Sequence, residues 1–169
     1  MDIQKPSIKP IAYTYGLYLA LLSILGLVIL YVLNIEKSWI MSGISFVLTI
    51  IIYVYGIGTF KKQNGNSLSI KDALKVGLAM AVVSGIIAAI YTVIHYEFIQ
   101  PEFIENIREN AYLEMTKQNP NMTEDQLATA TKMTNMFTSK FFMATMYLVA
   151  SLFFGFLISL VAGAIMKKE

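Results

Sequence analysis

Cysteine is absent from the 169 residues. That excludes disulfides, cysteine-ligated metals, a thiol nucleophile and a lipidated cysteine in this chain. Charge is also scarce: Asp, Glu, Lys and Arg make up 14% of the sequence, against about 25% in ordinary soluble domains. Histidine occurs once and tryptophan once. Hydrophobic residues, by contrast, reach 56%. A water-soluble chain of this size could not cover so much apolar surface with so few charges. A soluble enzyme, a disordered chain and a nucleic-acid binder are excluded as classes. A net charge of +2 is too small to argue for an anionic partner.

What is present is a set of long apolar runs. A hydrocarbon core of about 30 Å takes about 20 apolar residues in a helix. Four stretches are long enough, at about 11–33, 38–60, 73–96 and 141–166. Backbone polar groups in lipid must be satisfied within each segment, so all four are expected to be helices. The first run exceeds the apolar core of a signal peptide and no small-x-small site follows Leu33, so it is expected to stay as an uncleaved span. Lys5, Lys9, Lys61, Lys62, Lys71, Lys75, Lys167 and Lys168 fall on one side of the four spans with three acidic residues. The other side holds five basic and eight acidic residues. The excess of lysine close to the spans predicts cytoplasmic N- and C-termini and an outward-facing segment at 97–140. Tyr13, Tyr15, Tyr53, Tyr55 and Phe60 gather toward the inner boundary, and Tyr31, Trp39, Tyr91, Tyr96 and Phe98 toward the outer one, as an interfacial belt would.

The connections carry local signals. A loop of only about Asn34–Lys37 implies a tight antiparallel hairpin of the first two helices. Asn64-Gly65 marks a turn, and Ser69-Ile-Lys-Asp72 reads as an approximate capping box for the third helix. The outer segment is too long for a bare loop. Pro101 suits a first helical turn, and Ile104, Ile107, Ala111 and Met115 recur at helical spacing. Pro120-Asn121 ends that helix, and Thr123-Glu-Asp-Gln126 is a capping box that starts another. The apolar stripe is expected to pack on Leu127, Ala130, Thr134 and Phe137. No proline occurs from Glu124 to Lys168 and no glycine before Gly155. The fourth helix is therefore expected to run unbroken from the outer segment into the membrane, over about 68 Å at 1.5 Å per residue.

Candidate chemistry is thin. No charged residue lies near the middle of a span, which argues against a proton relay or pump. His95 sits beside Tyr96 and Glu97 at the outer boundary. It could serve as a pH-sensitive or metal-binding group, but it is expected to be an interfacial residue with its ring at headgroup level. Met133 and Met136, and Met143 and Met146, are one turn apart; thioethers can bind copper(I), yet methionine more simply fills apolar helix faces. Glu102, Glu105 and Glu109 share one helix face; that face is a candidate for a divalent cation or a partner, or a solvated surface. No nucleophile–base pair, phosphate loop or zinc signature is present. No catalytic residue, cofactor or metal is expected.

The sharpest pattern is structural. Ala73, Gly77, Ala81, Gly85 and Ala89 recur every four residues in the third span, and Ser151, Gly155, Ser159 and Gly163 do so in the fourth. Such rows let helix backbones approach closely. In antiparallel spans, Gly163 is expected near the depth of Gly77 and Ser151 near that of Ala89, so that the two rows face each other within one chain rather than in a homodimer.

The order of these features resembles a bacterial family of membrane proteins catalogued as domain of unknown function 4199. The residues that carry the likeness are the tyrosine-rich first helix, Ser69-Ile-Lys-Asp-Ala-Leu-Lys-Val-Gly77, the stretch around Pro101-Glu-Phe103, Pro120-Asn-Met-Thr-Glu124 and the terminal Ala-Ile-Met-Lys-Lys168. The resemblance implies a four-helix bacterial inner-membrane protein with no assigned activity or site residues.

The expectation is therefore an all-α integral membrane four-helix bundle, residues 1–169 forming one membrane domain, with an extramembrane helical hairpin at 97–140 between the third and fourth spans. The expected role is that of a non-enzymatic accessory or interaction protein. It would sit in the lipid bilayer, with a membrane or periplasmic protein partner and room for a homo-oligomer, and without nucleic acid. A rival reading is a subunit of a small oligomeric channel or transporter, with Ser42, Ser45 and Thr49 lining a polar path along one face of the second helix.

Overall fold

The computed structural model describes residues 5–35 and 38–168. Among them are six α-helices and one π-helical turn. They are α1 (Lys9–Val32), α2 (Trp39–Gln63), α3 (Ile70–Ile94), the π turn His95–Ile99, α4 (Pro101–Gln118), α5 (Glu124–Phe137) and α6 (Lys140–Met166). The only pairing of extended backbone among the described residues is a single antiparallel bridge between Leu68 and Lys168. Four of these segments are long and apolar enough to cross a membrane. The chain divides into two compact units, one built of the residues up to Ala88 together with those from Leu148 onward, the other of Ala89–Tyr147.

The first unit holds α1, α2, most of α3 and most of α6. Its core gathers Ile11 and Leu19 of α1, Tyr53, Ile57 and Phe60 of α2, Leu68 of the connection, Val76 and Met80 of α3, and Ala162 of α6. Burial in α1 is confined to Ile11–Ala20 and in α2 to Tyr53–Phe60. Beyond those stretches the two helices expose Leu25, Val32, Ile40 and Val47, each by more than half. In water such a surface would drive association; in a bilayer it is what lipid tails cover. Two observations fix α1 and α2 as antiparallel neighbours. The Tyr15 hydroxyl bonds to Thr59 Oγ1 at 2.8 Å, and Gly26 lies opposite Ser45. Part of the connecting loop expected at 34–37 lies outside the described residues; at its start Asn34 adopts a left-handed φ of 51°, and Ser38 caps α2 by accepting from the Met41 amide.

The ends of this unit are laced together. Asn64 closes the second turn by donating from Nδ2 to the Ser67 carbonyl, 3.0 Å away, and Gly65 and Asn66 both take positive φ, the conformation those residue types tolerate best. Ser69 caps α3 by accepting from the Asp72 amide at 3.1 Å. The Asp72 carboxylate is in turn bonded by the Ser69 backbone, as the expected capping box requires. It also accepts from the Ser69 hydroxyl and from Lys5 Nζ at 2.7 and 2.8 Å, so the chain before α1 is tied to the first turn of α3. Lys61 Nζ donates to the Met166 carbonyl at 2.8 Å, where a cation suits the negative end of α6. The segments flanking α1, α2, α3 and α6 thus meet at one end of the bundle.

The aromatic residues correct the belt reading in part. Tyr13, Tyr55, Trp39 and Phe98 are well exposed, but Tyr53, Phe60 and Tyr96 are buried. The second unit corrects the fourth span. α5 ends at Phe137 and α6 starts at Lys140, so the helix is not continuous from Glu124. Hydroxyls make the break. Thr134 and Thr138 donate to the carbonyls four residues back, Ser139 donates to Met136, and the Phe142 amide then donates to Ser139 Oγ, which caps α6. Side-chain bonds of this kind compete with the helical ladder without any proline or glycine.

Candidate functional site

The second unit contains the features that stand apart from helix packing in a bilayer. Its α4–α5 hairpin is ordered from within. Pro101 occupies the first turn of α4, where its missing amide hydrogen costs nothing. Both halves of the Thr123–Gln126 capping box form at the start of α5. Ile104 is buried, and Ile107, Ala111 and Met115 of α4 are half-buried, as are Leu127, Ala130 and Thr134 of α5. Phe137 departs from its expected place in this stripe. It is 47% exposed and its ring meets the edge of Phe142. Its place is taken one residue on, by Thr138, whose Oγ1 accepts from Arg108 Nε at 2.9 Å. Arg108 also donates to the Asn135 carbonyl at 3.3 Å, so a cation of α4 satisfies the C-terminal end of α5.

Two surfaces of the hairpin remain open. Glu102, Glu105 and Glu109 are all exposed on α4, and none takes part in the ion pairs found among the described residues. α4 and α5 also border an open groove of about 560 Å³ lined by Tyr112, one turn on from Glu109, and by Glu124, Leu127, Ala128, Thr131, Lys132 and Asn135. No group of three or more His, Asp or Glu side chains that could hold a metal ion occurs among the described residues.

The His95 ring is not exposed. It is fully buried at the start of the π turn. Its Nε2 lies 3.3 Å from Gln100 Oε1 and its Nδ1 3.4 Å from the Tyr91 hydroxyl. An amide oxygen only accepts, so Nε2 carries the proton and Nδ1 accepts from Tyr91. Tyr96 packs edge-on against the imidazole and stacks on Phe103 of α4. The Gln100 amide closes the turn by donating to the His95 carbonyl at 2.8 Å. The widened turn therefore delivers the chain from α3 to Pro101 with its polar groups bonded. Composition and spacing carry no mark of a π turn, so the burial of this ring is not legible in the sequence.

The small residues of the two rows meet one another in the first unit. A Cβ built on Gly77 would clash with Ser159 Oγ; one on Gly155 would stand 2.7 Å from Ala81 Cβ; one on Gly163, 2.8 Å from Ala73 Cβ; and one on Gly85, 3.3 Å from Ser151. Each step of four along α3 matches a step of four back along α6, so the helices are antiparallel. The register is one turn away from that expected: Gly163 faces Ala73 rather than Gly77, and Ser151 faces Gly85 rather than Ala89. α3 starts at Ile70, three residues before the span boundary read from hydropathy, and the pairing moves with it. Ala89 falls in the second unit and is half-buried there. Ser151 also donates across to the Ala81 carbonyl at 3.0 Å, a polar bond between helices of the kind that holds membrane bundles.

The remaining candidates disperse. Met133, Met136 and Met146 are about half exposed. Ser42 and Thr49 donate to the carbonyls of Ser38 and Ser45, four residues back in their own helix, and Ser45 faces Gly26. These hydroxyls are spent within α2 or at its contact with α1.

This organisation can be set against known proteins. A family model described as "Protein of unknown function (DUF4199)" matches residues 14–168. The chain belongs to the DUF4199 family. The match takes in all four apolar spans except the first turn of α1, and the whole α4–α5 hairpin. No curated protein and no solved structure matches this DUF4199 chain.

Proposed function

We propose that this DUF4199 protein is a non-enzymatic accessory or interaction protein of the bacterial inner membrane, whose α4–α5 hairpin faces the periplasm and binds a protein partner. The observation that supports the reading most is the exposed triad Glu102, Glu105 and Glu109 on a helix that the hairpin already holds in place through Arg108. Fixed charges on an ordered helix cost little further entropy on binding and supply the complementarity that selects a partner. The groove beside Tyr112 and Leu127 adds an apolar pocket of the sort that interface anchors fill. The lysine excess on the opposite side of the spans supports the orientation.

The test is cross-linking in whole cells from a photoreactive residue at Asn119, on the hairpin's far turn, with the products read by mass spectrometry. A reproducible second protein, lost when Glu102, Glu105 and Glu109 are changed together to lysine in a chain that still inserts, is the expected result. Self-cross-links alone, or none, would overturn the reading.

A further inference from the structure

The corner between α5 and α6 carries an exposed apolar surface that the packing of the hairpin does not use. Met133, Met136 and Phe137 are 51%, 54% and 47% exposed, and Phe141 is 66% exposed. One to two turns earlier on the same side of α5 stand Thr129 and Gln126, also exposed. That side of the helix is thus polar over its first half and apolar over its last turn and a half. A helix that descends obliquely into a bilayer surface has this gradation, because only its lower end reaches the acyl boundary.

Two further observations name the occupant. Glu97 of the π turn is ion-paired with Lys140, the first residue of α6, and each is followed in sequence by an exposed ring, Phe98 and Phe141. Phe98 is 78% exposed, and Lys140 Nζ lies 5.6 Å from the centroid of the Phe141 ring. Exposed rings beside a lysine are the chemistry of the headgroup layer. The patch is also continuous with the apolar surface of α6, which Phe141 opens and Met146 extends. Lys132 and Lys140 flank it, whereas Glu124 and Asp125 stand at the far end of α5.

We propose that the last turn and a half of α5, with Phe98 and Phe141, is a lipid-docking surface that rests in the headgroup–acyl boundary, so that the hairpin is seated on the bilayer rather than held clear of it. This surface lies on α5 and the α6 start, apart from the α4 carboxylates assigned to a partner. Loss of either role leaves the other standing.

Because the chain has no cysteine, single-cysteine probes need no background removal. The full chain, carrying a nitroxide at Met133→Cys, Met136→Cys or Phe137→Cys, and as references at Gln126→Cys or Thr129→Cys, is reconstituted in vesicles of phosphatidylethanolamine and phosphatidylglycerol. Collision with oxygen, which partitions into lipid, is compared with collision with a water-soluble nickel chelate. The expected result is a several-fold higher oxygen-to-nickel ratio at the first three sites than at the two references. Equal nickel access at all five would show the hairpin standing clear in water, and poor access to both at the first three would show a protein covering them; either overturns the proposal. Phe137→Cys gives up a ring contact with Phe142, so Met133→Cys, which loses no described contact, decides if that variant misfolds.

Discussion

A Cβ built on Gly77 would clash with Ser159 Oγ. The serine is fully buried, and its hydroxyl has no hydrogen-bond partner among the described residues. It fills the slot that glycine leaves and brings α3 and α6 together at the cost of a buried polar atom. A Gly77→Ala change therefore forces the helices apart, and overpacking of this kind costs about 1–3 kcal/mol. Ser159→Ala removes the unsatisfied hydroxyl and is expected to be neutral or mildly stabilising. It does not rescue Gly77→Ala, because Ser159 Cβ is only 2.6 Å from the added methyl. Ser159→Gly does rescue it in part. Thermal unfolding of the four proteins in one detergent checks the order; an unrescued double variant with glycine at 159 would mean that the two positions do not interlock.

Gly85 and Gly43 make a second, opposed pair. A Cβ on Gly85 would lie 2.6 Å from Leu148 Cδ1 and 3.3 Å from Ser151, whereas one on Gly43 would meet nothing within 4 Å. Gly85→Leu is expected to abolish the contact between α3 and α6 and to lower the yield of folded protein sharply. Gly43→Ala is expected to be harmless or to stabilise α2 by up to about 1 kcal/mol, the helix-propensity difference between the two residues. Detergent size-exclusion profiles and melting points of the two variants are the measurement. Equal damage from both would point to a protein contact on the Gly43 face.

The two rows of small residues are visible in the sequence because a four-residue repeat of glycine, alanine and serine inside an apolar run has few other uses. Which turn meets which was not visible. Hydropathy ends the third span near Ala73, but Ser69, Asp72 and Lys5 together start the helix at Ile70, and a three-residue difference at one end is nearly one turn along the seam. The break at Thr138–Ser139 was hidden for a related reason. It comes from hydroxyls bonding to nearby backbone, and threonine or serine in an apolar stretch reads equally well as a helical residue. The burial of His95 was hidden because a π turn leaves no compositional mark. The hairpin itself was legible, since proline at a first turn and a capping box are local signals that need no tertiary information.

Arg108 is expected to set the order of the hairpin. Its two bonds reach Thr138 Oγ1 and the Asn135 carbonyl, and hydrogen bonds from a charged donor are worth about 1.5–3 kcal/mol each at most. Partial exposure of the pair reduces this, so Arg108→Ala should destabilise the α4–α5 contact by about 1–2 kcal/mol. Amide hydrogen exchange reads the effect locally: residues 134–139 should lose protection in Arg108→Ala while residues 73–81 of α3 keep theirs. Arg108→Lys should recover only part, because a lysine cannot offer two donors in a fixed fork. Uniform loss across the chain would make Arg108 a global rather than a local clasp.

The imidazole of His95 tests the geometry of the π turn directly. As the only histidine in the chain, it gives a single pair of ring-nitrogen resonances in a protein labelled with 15N-histidine. Gln100 Oε1 can only accept, so the ring should carry its proton on Nε2, with Nδ1 accepting from the Tyr91 hydroxyl. Tyr91→Phe removes the hydroxyl that faces Nδ1, and should shift the Nδ1 resonance while leaving Nε2 protonated. Gln100→Leu should do the reverse and shift the Nε2 resonance, because Nε2–H loses the Gln100 oxygen; the loss of a buried hydrogen bond costs about 1 kcal/mol, which melting of the detergent-solubilised variant will show. A spectrum of the opposite tautomer would mean that the Gln100 amide is turned with its nitrogen toward the ring, and that the α3-to-α4 passage is held by a different set of bonds.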